Sequence, residues 1–283
     1  MVSIINSLKE FMQYDFLLYA LLGTVFLAIT CGLISPLIIA RKNAFMGSAI
    51  SHSTILGLAI AMSIFSPENT LLITLTTLFI TLACTLFLSY SSYRQKLPLD
   101  SLIGIFYTST MALGIIIHSL FSKSKSDLLS FLFGNILLLT KEDVAISFML
   151  LMICLPFILI PLKKWLFLTY DEEGAITSGI NAQIFHHLFF VILCLLIVTS
   201  IKLAGTVLVE TMLLVPGFFA LKFSKSIKQT FIFSVLFSLL LSILGIIISN
   251  SFGLPSGATL AFVLFFSLVL SLFIKKIYNL IKR

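Results

Sequence analysis

The fold turns on one stretch, Phe16-Leu-Leu-Tyr-Ala-Leu-Leu-Gly-Thr-Val-Phe-Leu-Ala-Ile-Thr-Cys-Gly-Leu-Ile-Ser-Pro-Leu-Ile-Ile-Ala40. It carries no charge, and a helix needs roughly 20 such residues to cross the hydrocarbon of a bilayer. In lipid only helices and closed barrels satisfy every backbone donor and acceptor. A barrel strand would read as a run of about ten residues alternating apolar and polar. This stretch is continuously apolar, so it predicts a helix. Outward from it the pattern recurs at Ala49–Phe65, Thr70–Tyr90, Ser101–Phe121, Glu142–Leu162, Gln183–Ser200, Leu203–Leu221, Thr230–Ser249 and Ser256–Ile274. The 283-residue chain is 59% hydrophobic and 10% charged, with a mean hydropathy of +1.17. Soluble domains carry roughly 25% charged residues, so this chain cannot clothe a water-facing surface. The expectation is an all-α, polytopic helical membrane bundle of about eight or nine transmembrane helices. Short connections make it one domain over 1–283, with no soluble domain.

The formal charge of +7 does not point to nucleic acid, because the basic residues stand at the ends of apolar runs. That is the positive-inside pattern. Taken by alternate loops, thirteen Lys and Arg between Arg41 and Arg283 fall on one side; five (Lys9, Lys123, Lys125, Lys141, Lys202) fall on the other. The count places the C-terminus in the cytoplasm and the N-terminus outside. The short loop at Ser200–Leu203 is the place where a re-entrant hairpin or a broken helix would change the span count. Met1–Tyr14 reads as a retained lead-in, with no small-residue cleavage site. Asp127–Leu139 is apolar but too short to span, and is expected at the interface or re-entering. Pro36, Pro216 and Gly253-Leu-Pro-Ser-Gly257 interrupt apolar runs, and irregular backbone survives in a membrane only where protein or a wet path covers it. Cys31, Cys84, Cys154 and Cys194 are single, each in its own span, and read as small buried hydrophobes.

One polar island stands out, Tyr170-Asp-Glu-Glu-Gly-Ala-Ile-Thr-Ser-Gly-Ile-Asn181. It holds Asp171, Glu172 and Glu173 in a row and follows Lys163 and Lys164. It predicts one or two turns of amphipathic helix with Ala175, Ile176 and Ile180 as the apolar face, closed by Gly179. The charge count puts it on the inner side. A short structured segment between two spans suits a handle by which a soluble partner moves the membrane part.

Two ionisable residues lie inside spans. His52, ten residues past Lys42, lies about 15 Å along a helix and so near the bilayer midplane. Ser48 shares its face at i, i+4 spacing. Glu210 is the one carboxylate well inside a span, where a lone charge is costly unless paired or wet. Both are candidates for a cation pathway, against the plainer readings of a histidine bridging helices and a carboxylate paired or protonated. His118, His186 and His187 sit near span ends, where imidazoles need no special role. No HExxH, GxSxG or GxxxxGK[ST] pattern occurs, so neither hydrolytic chemistry nor ATP binding by this chain is expected.

Six stretches resemble the metal-ion permease subunits of bacterial ABC importers, the group that takes up zinc, manganese or iron. They are Arg41 through Ser53 (RKNAFMGSAISHS), Asp100 through Gly104, Asp127 through Leu137, Tyr170 through Asn181, Gly205 through Pro216, and Leu254 through Thr259 (LPSGAT). They run in the family's order and cover most of the chain. The resemblance implies a transport subunit rather than an enzyme, multi-pass in a bacterial inner membrane and paired as a homodimer. Its implied partners are cytoplasmic ABC ATPase subunits, which bind the ATP, and an extracytoplasmic metal-binding protein; this chain itself holds no cofactor. Zinc is the first expectation for the cargo, with manganese or iron as alternatives. Tyr170, Asp171, Glu172, Glu173 and Gly179 then correspond to the coupling helix that docks on the ATPase, and His52 to the metal path, with Ser48 lining it. This chain departs from the family pattern at Ser48 (usually Asp), at Asn135 (usually Asp) and at Glu210 (usually small and apolar). Glu210 is a candidate to supply the missing negative charge. The alternatives are a proton-coupled secondary transporter of a metal or small solute, with Glu210 and His52 as relay, and a scaffold with no path.

Overall fold

A computed structural model describes residues 14–66, 69–94, 99–121 and 136–282. All regular structure among them is helical. In chain order the helices are α1 (Asp15–Ala40), α2 (Ala44–Ile64), α3 (Thr70–Arg94), α4 (Leu99–Phe121), α5 (Lys141–Leu159), α6 (Leu162–Tyr170), α7 (Glu172–Thr177), α8 (Ala182–Ala204), α9 (Thr206–Phe223), α10 (Ile227–Phe252) and α11 (Ser256–Ile281), with a 3-10 turn at Ile136–Leu138. Among the described residues nine helices are long and apolar enough to cross a membrane; α6 and α7 are the short ones.

Several boundaries differ from the apolar runs for local reasons. The helix carrying His52 starts at Ala44 rather than Ala49, since helix does not require apolarity and the Ser48 turn is simply part of it. α5 stops at Leu159, ahead of Pro161, although the run reads on to Leu162. It begins at a reciprocal cap: the Thr140 backbone N–H donates to Asp143 Oδ2 (3.0 Å) and Asp143 N–H to Thr140 Oγ1 (3.3 Å), the capping-box arrangement. The very short loop drawn at Ser200–Leu203 falls at Gly205 instead, and the spans on both sides of it are present. α8 runs to Ala204, and Gly205 alone, at φ 80° and ψ 160°, separates it from α9. Pro36 and Pro216 do not interrupt their helices. The end of the 127–139 segment that is described does not lie at a lipid interface throughout: Ile136 and Leu139 are buried, and Ile136 N–H donates to Ser256 Oγ (3.0 Å). Its remainder, Asn135 included, and the lead-in before Tyr14 lie outside the described residues.

The chain folds as two compact units. The first comprises 1–42, 133–159 and 203–283, the second 43–132 and 160–202. In the first, α1 is the central helix, packed by α5, α9, α10 and the 3-10 turn. Small residues make this possible, as between membrane helices generally, where close backbone approach replaces hydrophobic drive. A Cβ on Gly32 would stand 2.9 Å from the Val235 backbone, and Ser234 Oγ donates to Gly32 O across the seam (2.7 Å). Pro216 opens the ladder of α9, and the adjacent Gly217 N–H donates to Ser35 Oγ on α1 (2.7 Å). A neighbouring serine thus satisfies a backbone group beside the proline, the way membrane helices tolerate one.

The second unit is built round α2, packed by α3 and α4. Of the nine long helices α2 has the lowest mean hydropathy and the largest buried share. The two go together, because a helix walled by helices need not satisfy lipid. Its buried hydroxyls are partly served from within: Ser53 and Thr54 both donate to Ile50 O. Gly114 of α4 lets the two backbones meet, since a Cβ there would stand 2.9 Å from Leu56 N.

Candidate functional site

The polar island folds, with the short helix α6 leading into it, as a hairpin capped at each turn. α6 starts after Pro161 and ends at Tyr170. Asp171 then caps α7, its Oδ1 accepting from Gly174 N–H at 2.9 Å. A carboxylate at a helix N-terminus satisfies an orphan donor, and Glu172 and Glu173 in the same first turn are favoured by the helix dipole. α7 closes with two bonds, Gly179 N–H to Ile176 O (2.9 Å) and Ile180 N–H to Ala175 O (3.0 Å). This is the Schellman pattern, which needs a left-handed residue at its turn; Gly179 supplies it at φ 85°. Asn181 begins the next helix, accepting from Ile184 N–H at 3.1 Å. Every end of the segment is therefore chemically fixed by residues within it.

Underneath is an apolar base. Leu168, Ala175 and Ala182 form a buried cluster with Ile180 and Phe185 packed on it. Trp165, 1% exposed, meets Phe185 edge-on at 4.9 Å and Phe189 at 5.8 Å. The expected apolar face needs one correction. Ala175 and Ile180 face the base, but Ile176 is 49% exposed, because one residue along a helix turns by about 100°. Outward the segment shows Tyr170 (67% exposed), Asp171, Glu172, Glu173 and Ile176, with Lys163 and Lys164 also exposed on α6. The segment thus presents an acidic, partly apolar knob on a buried apolar base.

Behind the base lies a pair that sequence reasoning set aside as ordinary. His187 Nδ1 is 2.7 Å from Ser89 Oγ, and His186 Nε2 is 3.0 Å from Ser92 Oγ. Tyr93 leans against both rings, at 5.3 and 6.2 Å. Roughly ninety-five residues separate the partners in the chain, and nothing in either stretch announces the other.

Elsewhere in the same unit His52 is half-buried on α2, edge-to-face with Tyr107 of α4 at 4.5 Å. Ser48 stands one turn earlier on the same helix, also half-buried. Glu210 is half-buried on α9 and belongs to the first unit. Among the described residues no group of three or more His, Cys, Asp or Glu converges as a metal site. The four cysteines are free, three of them buried.

Comparison with known proteins places this architecture. The chain is 30% identical over 260 residues to the manganese transport system membrane protein MntC of Listeria monocytogenes, covering 90% of this chain and 89% of that one. It is 30% identical over 280 residues to the manganese import system permease protein ScaB of Streptococcus gordonii, covering 98% and 99%. The solved structure of PsaBC from Streptococcus pneumoniae in complex with Fab superposes with a TM-score of 0.84, 29% identity and 99% coverage of this chain. The family model described as the ABC 3 transport family matches residues 13–275, and with that match across nearly its whole length the chain belongs to the ABC 3 transport family.

Proposed function

We propose that this chain is the permease subunit of an ATP-driven importer that carries a divalent metal into the cell, manganese before other metals. The single observation that carries the reading is the capped hairpin at 170–181: a fixed acidic knob on a buried aromatic base, on the side where the basic residues of the loops accumulate. A carrier driven by its own ion gradient has no use for a docking piece. In this reading a cytoplasmic ATPase subunit grips Tyr170, Asp171, Glu172, Glu173 and Ile176. Closure of the nucleotide sites displaces the hairpin, and an extracytoplasmic binding protein delivers the metal to a pair of permeases in the inner membrane. Zinc, the first expectation from the resemblance, gives way to manganese, the metal both relatives carry in their names. His52 and Glu210 are the path residues proposed, with Ser48 as lining. Manganese accepts oxygen ligands readily, whereas zinc favours imidazole and thiolate.

The test is reconstitution in proteoliposomes with the ATPase and the binding protein. Uptake of 54Mn²⁺ is expected to need ATP, and to be lost together with ATPase co-purification when Asp171→Ala and Gly179→Pro are combined. His52→Ala and Glu210→Ala are each expected to cut uptake while the ATPase stays bound. Uptake by this chain alone, without ATP, would overturn the class. Normal uptake in both path variants would overturn the path.

A further inference from the structure

The two imidazole–serine bonds stand at a mechanically particular place. His186 and His187 lie in the first turns of α8, which begins at the Asn181 cap and whose Phe185 is packed into the base of the hairpin. On a helix, consecutive side chains point about 100° apart, so both can reach one neighbour only where that neighbour lies across the seam between them. α3 does so, offering Ser89 and Ser92 from its last turns. Ser92 Oγ also bonds Ser89 O at 2.9 Å, so this one hydroxyl ties the His186 imidazole to the backbone of α3. Tyr93 and Phe190 flank the rings, with His186 lying 4.8 Å from Phe190. Two directional bonds in a sheltered, partly apolar setting hold orientation in a way that aliphatic packing does not.

α3 in turn lies on α2. A Cβ at Gly57 would stand 2.8 Å from Thr77 O and 3.0 Å from Thr81 Oγ1, so the two backbones are in contact. His52 is on that same α2. An unbroken set of contacts within one compact unit thus runs from the hairpin base through α8 and α3 to the helix carrying the path residue. We propose that the His186–Ser92 and His187–Ser89 bonds are the joint through which movement of the 170–181 hairpin is passed to α3 and so to α2. The proposal rests on the reading that an ATPase docks on that hairpin. The imidazoles are positioning residues and touch neither metal nor nucleotide.

The experiment measures 54Mn²⁺ ions taken up per ATP hydrolysed by the complete transporter in proteoliposomes. Co-purification of the ATPase is scored in parallel. In the double variant His186→Ala with His187→Ala the ATPase stays bound and hydrolysis continues, while ions moved per ATP fall by about tenfold, the upper range for residues that tune coupling between sites. Geometry supplies a discriminating rescue. A Gln side chain places its amide nitrogen near Nε2 of a histidine, and an Asn places its amide near Nδ1. His186→Gln with His187→Asn is therefore expected to restore the ratio to within about twofold, and the swapped pair His186→Asn with His187→Gln is not. An unchanged ratio in the alanine pair, or equal rescue by both amide pairs, overturns the proposal. If the alanine pair loses the ATPase, Ser89→Ala with Ser92→Ala removes the same bonds from the α3 side and decides. Loss of the ATPase there as well assigns the joint to holding the hairpin and overturns its part in transmission. Failure of the unaltered chain to bind any ATPase overturns the docking reading instead, and is read independently of the ratio.

Discussion

At the scale of single residues, the chain is governed by backbone groups that have no water to fall back on. Ser35 illustrates it. Its hydroxyl accepts from Gly217 N–H (2.7 Å) beside Pro216, and Ser35 is itself wholly buried. Ser35→Ala leaves that donor stranded, at a cost of about 1–3 kcal/mol. The four cysteines offer the readout, since a thiol-reactive dye lights up as Cys31, Cys84, Cys154 and Cys194 come out of their helices. A lower melting temperature is expected for Ser35→Ala, and little change for Ser63→Ala, whose exposed hydroxyl bonds to Ile60 O of its own helix. Some residues were singled out as candidates from type and depth alone, as with His52, a histidine about 15 Å into a span. Others were not. His186 and His187 read as ordinary interface imidazoles, because the serines that give them meaning are on another helix. A bond across some ninety-five residues leaves no local pattern in either strand of sequence.

At the scale of elements, the hairpin at 170–181 was legible because its chemistry is local. The Asp171 cap, the Gly179 turn and the Asn181 cap are each fixed within a few residues of themselves. Only the facing of Ile176 was misread, an error of one helical step. The base beneath is tertiary, and Trp165 is its largest member. Trp165→Ala empties the space between Phe185 and Phe189, and truncating a buried aromatic costs about 3–5 kcal/mol. Phe185 and Phe189 stand in the first turns of α8, so the loss is expected to fall on the hairpin base and the start of that one span. Protease cleavage near residue 170 rises and ATPase co-purification weakens, while the main thermal transition moves little. Helix ends were read less well than helix existence, for reasons visible in the caps. The Thr140–Asp143 box starts α5 and the polar turn at Ser48 belongs to α2, and neither registers as apolarity.

At the scale of the whole molecule, the nine long apolar helices among the described residues, with the loop charges, predict one topology: an inner C-terminus and an inner hairpin. It is checked with a thiol placed at the exposed Ser178. Ser178→Cys is expected to react with a membrane-impermeant maleimide in inside-out vesicles and to stay unlabelled in intact cells. The reverse result would place the hairpin outside, beyond the reach of any cytoplasmic ATPase. The division into two compact units was not legible, because each draws on pieces far apart in the chain and hydropathy treats every span alike. Hydropathy did differ for α2, the least apolar of the nine and the most deeply enclosed. That difference has a consequence for synthesis at the ribosome. α2 emerges before the helices that shelter it, and on its own it gains little from leaving the translocon for lipid. Its integration is therefore expected to improve once Thr77, Thr81 and Gly114 have arrived on α3 and α4, and a glycosylation-tag assay on chains cut short ahead of α4 checks it by the fraction of α2 inserted.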